Sequence, residues 1–168
     1  MKQFNLIMVA VLLTLGTALS AQDKFGHLNS QELLQLMPER AEAEQKLQSL
    51  NTQLEERLRV LMGEYQSEVQ AFQGLAEDTP ATTANDMRDG ILDMEKRIQD
   101  FQANAEQDLA TKQQELLTPM LEKMQKAIED VGKENGYLYI FDISTGAVVY
   151  TGGEDVSQLV KTKLGITG

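Results

Sequence analysis

The side chains that usually carry enzyme chemistry are nearly absent from this sequence. It has one histidine, His27, and no cysteine among 168 residues. A single imidazole leaves a Ser-His-Asp triad or a multi-histidine metal site almost nothing to work with. Without cysteine there is no thiolate zinc site, no disulfide framework and no Cys nucleophile. His27 lies between Gly26 and Leu28 in a short strand-like run, where a structural role is expected. Asp86, Asp89 and Asp93 share one helical face and could suggest a cation site. Carboxylates at the start of a helix, however, serve mainly as partners of its positive end. No phosphate loop of the G-x-x-x-x-G-K-S/T type occurs, and Gly152-Gly153 reads as a turn. No enzyme activity, cofactor or metal is therefore expected.

Charge and composition narrow the class further. Acids outnumber bases 26 to 15, for a net charge of -11, and tryptophan is absent. That balance disfavours nucleic-acid binding, which needs clustered Lys and Arg to neutralise phosphates. Apolar content of 42% is close to the globular average, and the length suits one domain or two at most.

The elements that must position the remaining residues follow from patterning. Lys2, the apolar run Phe4 to Leu15 and the small residues Gly16 to Ala21 read as a secretory signal peptide over residues 1–20. Cleavage falls after Ser20 or Ala21, and with no cysteine behind the run a lipid anchor is excluded. The apolar run is also shorter than the roughly 20 residues a spanning helix needs. Residues 21–37 then supply a strand, Lys24 to Asn29, and a short helix, Gln31 to Met37, which Ser30 can cap.

Residues 38–131 read as a helical hairpin. Pro38 suits a first helical position, and Leu47, Leu50, Leu54, Leu58, Leu61, Tyr65, Val69 and Phe72 follow at steps of three and four. The steps repeat every eleven residues, which implies nearly straight packing or a weak right-handed twist. Residues 76–85 break the pattern as a tip, after which Thr83 or Asn85 can cap the returning helix. That helix carries Ile91, Met94, Ile98, Phe101, Ala105 and Leu109, passes a bend expected at Pro119, and stops at Gly132 or Gly136. At roughly 1.5 Å per residue the hairpin is about 55–70 Å long.

Residues 132–168 return to the body. Tyr137 to Ile143 is an aromatic, branched strand, Ser144-Thr145-Gly146 reads as a hairpin turn, and Ala147 to Thr151 as the returning strand. Asp155 can cap a last helix bearing Val156, Leu159, Val160 and Leu164. The expected fold is α+β and mostly α, a long antiparallel helical hairpin projecting from a small β-sheet body. A body of about 50–60 residues without disulfides or metals is marginal alone, so oligomerisation is expected to complete it. The residues assigned to that oligomeric body are Phe25, Tyr137, Tyr139, Ile140, Phe141 and Val149.

Taken in order, the signal peptide, Phe25-Gly26-His27-Leu28-Asn29-Ser30, Met37-Pro38-Glu39, the long hairpin, Lys133-Glu134-Asn135-Gly136-Tyr137 and Asp155-Val156 are similar to the Skp/OmpH family of periplasmic chaperones. The resemblance covers essentially the whole mature chain. It implies a homotrimer with a small β-barrel body and three helical tentacles around a cavity. It also implies an ATP-independent periplasmic holdase for unfolded outer-membrane β-barrel proteins. No membrane span would remain after cleavage, and contact with membrane surfaces would be transient. The sequence departs from the family in one respect. Familiar members carry basic tentacles, whereas the stretch from Pro38 to Val131 is net acidic here.

A holdase needs many weak, adaptable contacts, which unbranched and polarizable methionine suits. The residues expected to touch an unfolded client are Met62, Tyr65, Phe72, Met87 and Met94, nearest the tip. The competing assignment is a non-catalytic exported coiled-coil spacer that binds one folded cell-envelope partner.

Overall fold

A computed structural model describes residues 23–166, so the leader expected over residues 1–20 lies outside the described residues. The elements run β1 (Lys24–Leu28), α1 (Ser30–Leu36), α2 (Glu39–Gln73), α3 (Ala81–Asn135), β2 (Tyr137–Asp142), β3 (Glu154–Asp155) and α4 (Ser157–Leu164). The fold is α+β and mostly helical, with α2 and α3 paired as a long arm on a small three-stranded sheet.

Helix boundaries follow local chemistry. Asn29, not Ser30, caps α1, because its Oδ1 accepts the N–H groups of Gln31 and Glu32 at 3.1 and 3.2 Å. Pro38 already holds helical angles, φ -61° and ψ -30°, and leads directly into α2. At the tip the Thr79 N–H donates to the Ala76 carbonyl at 3.0 Å. α3 then begins at Ala81, earlier than Thr83 or Asn85 would place it. Pro80 enters with φ -54°, its carbonyl accepts the Ala84 N–H as the first bond of the helix, and no side chain caps the start. The Asn85 side chain instead accepts from Arg88 at 3.0 Å. α3 has 55 residues against 35 in α2, and its excess length runs down into the body. It stays one helix through Pro119 and ends at Gly136, whose φ of +70° places it in the left-handed region that favours glycine.

The base of the arm is packed into the body core. Met120, Met124, Ala127 and Val131 from the end of α3 pack with Leu28, Leu33 and Met37 from the N-terminal side. Val156, Val160 and Leu164 from the chain's last turns close the cluster. Leu28, Leu33, Val131, Val156 and Val160 are essentially sealed from solvent. Each such side chain contributes about 1.5–3 kcal/mol of burial. α4 begins one residue later than Asp155 as its cap would place it: Val156 stands at the N-cap, and the Asp155 side chain, at the end of β3, accepts the Ser157 N–H at 2.9 Å.

Sheet topology differs from the expected hairpin. The strand order is β2-β1-β3, with both pairings parallel, so β1 is the middle strand and β2 lies at an edge. The turn forms, with Gly146 N–H donating to Ile143 O at 3.3 Å, but Ala147 to Thr151 does not return along β2. The chain crosses β1 instead, and Val156, Val160 and Leu164 beyond the crossing join the core. Val149, read as a strand residue, is 98% exposed on this irregular crossing. Gly153 permits the close approach, because a Cβ there would lie 2.5 Å from the Phe25 carbonyl oxygen. In β2 the register shifts between Lys24↔Tyr137 and Phe25↔Tyr139, leaving Leu138 as an extra residue.

Asp142 ties the end of β2 to the start of α1. Its Oδ1 accepts the Ser30 N–H at 3.1 Å and the Ser144 N–H at 2.9 Å, and its Oδ2 accepts the Ser30 hydroxyl at 2.5 Å. Burial works against its charge, but these donors outweigh it and hold the carboxyl below its usual value. Ser30 therefore serves as a strand-to-helix tie. Because the folded pKa is depressed, the stabilisation is present above about pH 4 and is lost as pH falls through the folded value. Asp142→Ala is expected to cost about 1–2 kcal/mol at neutral pH. Urea unfolding should show the gap from the parent narrowing by pH 3, and an unchanged gap would refute the tie.

Tyr137 is half-buried against the core, and its phenol is pushed up to about 12 by burial, then by the Glu154 carboxylate. A phenol raised above its unfolded value near 10 gives stability that is lost between about pH 10 and 12. Ultraviolet titration of the four tyrosines should show a last-ionising phenol that is missing from Tyr137→Phe. Four tyrosines ionising together would contradict this.

Candidate functional site: the arm seam and the open sheet face

The arm is two helices with no third layer, so the apolar stripe of each can pack only on the other. Above the body, Leu61 and Ile98 of the arm become buried, while the neighbouring stripe positions stay half-covered. Tyr65 Oη donates to Glu95 Oε1 at 2.7 Å across the seam, and the accepting carboxylate raises the phenol above its usual pKa. Further out, the Arg88 guanidinium lies 5.8 Å from the Phe72 ring centre. At the base, Lys123 pairs with Glu39.

Of the five residues expected to contact a client, four lie in or beside this seam. Tyr65, Phe72, Met87 and Met94 are half-buried, and only Met62, at 39% exposure, stands clear on the surface. The structure thus brings Tyr65, Phe72, Met87 and Met94 into one helix–helix contact and leaves Met62 on its flank. Val60 and Leu92 are exposed apolar residues that stripe spacing missed, because both fall away from the three-four pattern. A groove also opens midway along the arm, about 400 Å³, between Leu54, Leu58, Phe101 and Leu109, with Glu55 and Glu106 among its lining residues. A second, about 250 Å³, lies at the base over Ala43, Leu116, Pro119 and Met120. Both are open clefts between helices. The stripe marked these residues, but spacing cannot say which stripe positions leave an edge uncovered.

In the body the expected residues divide by face. Tyr137 and Ile140 turn inward against the core. Phe25, Tyr139 and Phe141 turn outward as a ladder, with ring centres 6.2 and 6.0 Å apart, and Tyr139 is 58% exposed. Leu138, at the register shift, is exposed beside them and was not anticipated. Among the described residues, β2 has no strand on its outer side. His27 faces Phe141 on one neighbour and Asp155 on the other, and its Nδ1 is buried without a hydrogen-bond partner among the described residues. An outward aromatic face and an unpaired strand edge are features that assemblies cover.

Asp86, Asp89 and Asp93 are all exposed, and no group of three ligating side chains gathers among the described residues. No helix among the described residues is long and apolar enough to cross a membrane.

No curated protein matches this chain. Residues 24–164, from the first strand to the last helix, match the family described as outer membrane protein (OmpH-like), and the chain belongs to that family.

Proposed function

We propose that this protein is an ATP-independent periplasmic holdase that keeps unfolded outer-membrane β-barrel proteins soluble on their way to the outer membrane. Membership of the OmpH-like family supports a chaperone-type role at the cell envelope. One structural observation carries the holdase reading furthest. The arm keeps a half-covered apolar seam along its length, bordered by open clefts, so it offers many weak contacts. Met62 offers direct contact, and Tyr65, Phe72, Met87 and Met94 offer the exposed edges of seam residues. In this reading the outward Phe25, Tyr139 and Phe141 face and the free edge of β2 join copies of the chain, as a homotrimer, with Tyr137 and Ile140 supporting them from below. The exposed Val149 belongs to the same contact. The arms then enclose a cavity, and residues 1–20 act as the cleaved export signal.

The first test is light scattering from an unfolded outer-membrane barrel protein diluted out of urea, with the mature protein present and no ATP. Suppression at about one oligomer per client is expected, and none from a correctly assembled oligomer would shift the assignment to a structural spacer. For an acidic client, salt should strengthen protection, because it screens repulsion from the acidic arm.

Variant design follows from the seam. Replacing Tyr65, Phe72, Met87 and Met94 together by Ser should loosen the arm itself. The triple variant Val60→Ser, Met62→Ser, Leu92→Ser should leave helix content unchanged and lower protection several-fold. Full protection by that variant would remove these three from the contact surface.

A further inference from the structure

The arm from Pro38 to Val131 carries 20 acids and 10 bases, a net charge of -10. Half of those bases, Arg40, Lys46, Arg59, Lys112 and Lys123, are already held in ion pairs by arm carboxylates. Towards the tip the imbalance grows. Glu64, Glu68, Glu77, Asp78, Asp86, Asp89 and Asp93 have no salt-bridge partner among the described residues. The mid-arm groove sits within this field. Its floor is apolar, with Leu54, Leu58, Phe101, Ala105 and Leu109. Its charged lining residues are Glu55 and Glu106, and no base is among them. Asn51 Nδ2 donates to Glu55 Oε1 at 2.6 Å, which orients one carboxylate at the rim.

An apolar floor between two acidic rims rewards a chain that offers apolar and cationic side chains in close succession. The apolar groups leave water in the groove while the cations meet Glu55 and Glu106 at its edges. An acidic segment with the same apolar content would meet like charge at both rims and along the whole arm. We propose that the mid-arm groove binds net-positive unfolded segments, in which Lys or Arg is interspersed with apolar residues. This deepens the holdase reading and rests on it, by naming the class of client that the arms capture best.

The test uses the assembled mature protein and two short labelled peptides with identical apolar residues, one carrying Lys and the other Glu between them. Fluorescence anisotropy at low salt should show the Lys peptide binding about tenfold more tightly, and the preference should collapse near 1 M salt. The double variant Glu55→Gln, Glu106→Gln keeps the apolar floor and the exposed helix surfaces. It should lose several-fold of the preference with an unchanged thermal unfolding curve. Equal affinity for the two peptides, or a preference untouched by the double variant, would overturn the proposal. Aggregation assays separate its failure from that of the holdase reading. Equal protection of denatured acidic and basic proteins would leave the holdase standing and remove the charge selection. Tight binding of the Lys peptide with no protection of any protein would do the reverse.

Discussion

Pairing Lys24–Leu28 in parallel with Tyr137–Asp142 joins segments more than a hundred residues apart, and a parallel pair cannot be closed by a tight turn. The crossover is the entire arm. Closing so long a loop from a disordered chain would cost on the order of 4 kcal/mol in entropy. The antiparallel arm removes much of that cost, since α2 and α3 return the chain to its starting point before the strands meet. Cross-seam contacts such as Tyr65 with Glu95 and Phe72 with Arg88 keep the two helices in step towards the tip. Sheet and arm therefore depend on one another: the arm delivers β2 to β1, and the body core anchors the last turns of α3.

That arrangement also sets what the arm can do. Its base is clamped by the Met120, Met124, Ala127 and Val131 packing, but the remainder has only one partner helix. Two helices cannot hide a stripe of Leu, Tyr, Phe and Met side chains, so apolar edges persist beside rows of carboxylates. In the proposed role, such a surface would hold chains through dispersed contact and filter them by charge. In the body the same economy applies at smaller scale. One sheet face is filled by the core, and the other presents Phe25, Tyr139 and Phe141 outward.

Stripe residues were legible as a set, because threes and fours in apolar spacing are a property of the helix itself. Their division into covered and uncovered was not. Met62 and Tyr65 are three positions apart, yet one stands on the surface and the other bonds across the seam to Glu95. That difference depends on where the partner helix lies, which no single stripe encodes. Val60 and Leu92 escaped notice for the opposite reason, being apolar residues outside the pattern. Leu138 became exposed because the strand register shifts beside it, an outcome of pairing with β1.

The sequence by itself determined the two arm helices, a glycine stop at Gly132 or Gly136, a strand starting at Tyr137 and the acidic charge of the arm. Each of these rests on local chemistry: apolar spacing, a left-handed glycine, β-branched and aromatic runs, or a simple count of charges. Only the tertiary structure decided that β1 is the central strand, that all pairings are parallel, and that Ala147 to Thr151 crosses over instead of turning back. Ser144-Thr145-Gly146 makes the same local turn in either topology. The crossing goes with the burial of Val156, Val160 and Leu164 in one cluster with Leu28 and Val131, a packing between distant segments that no local turn encodes.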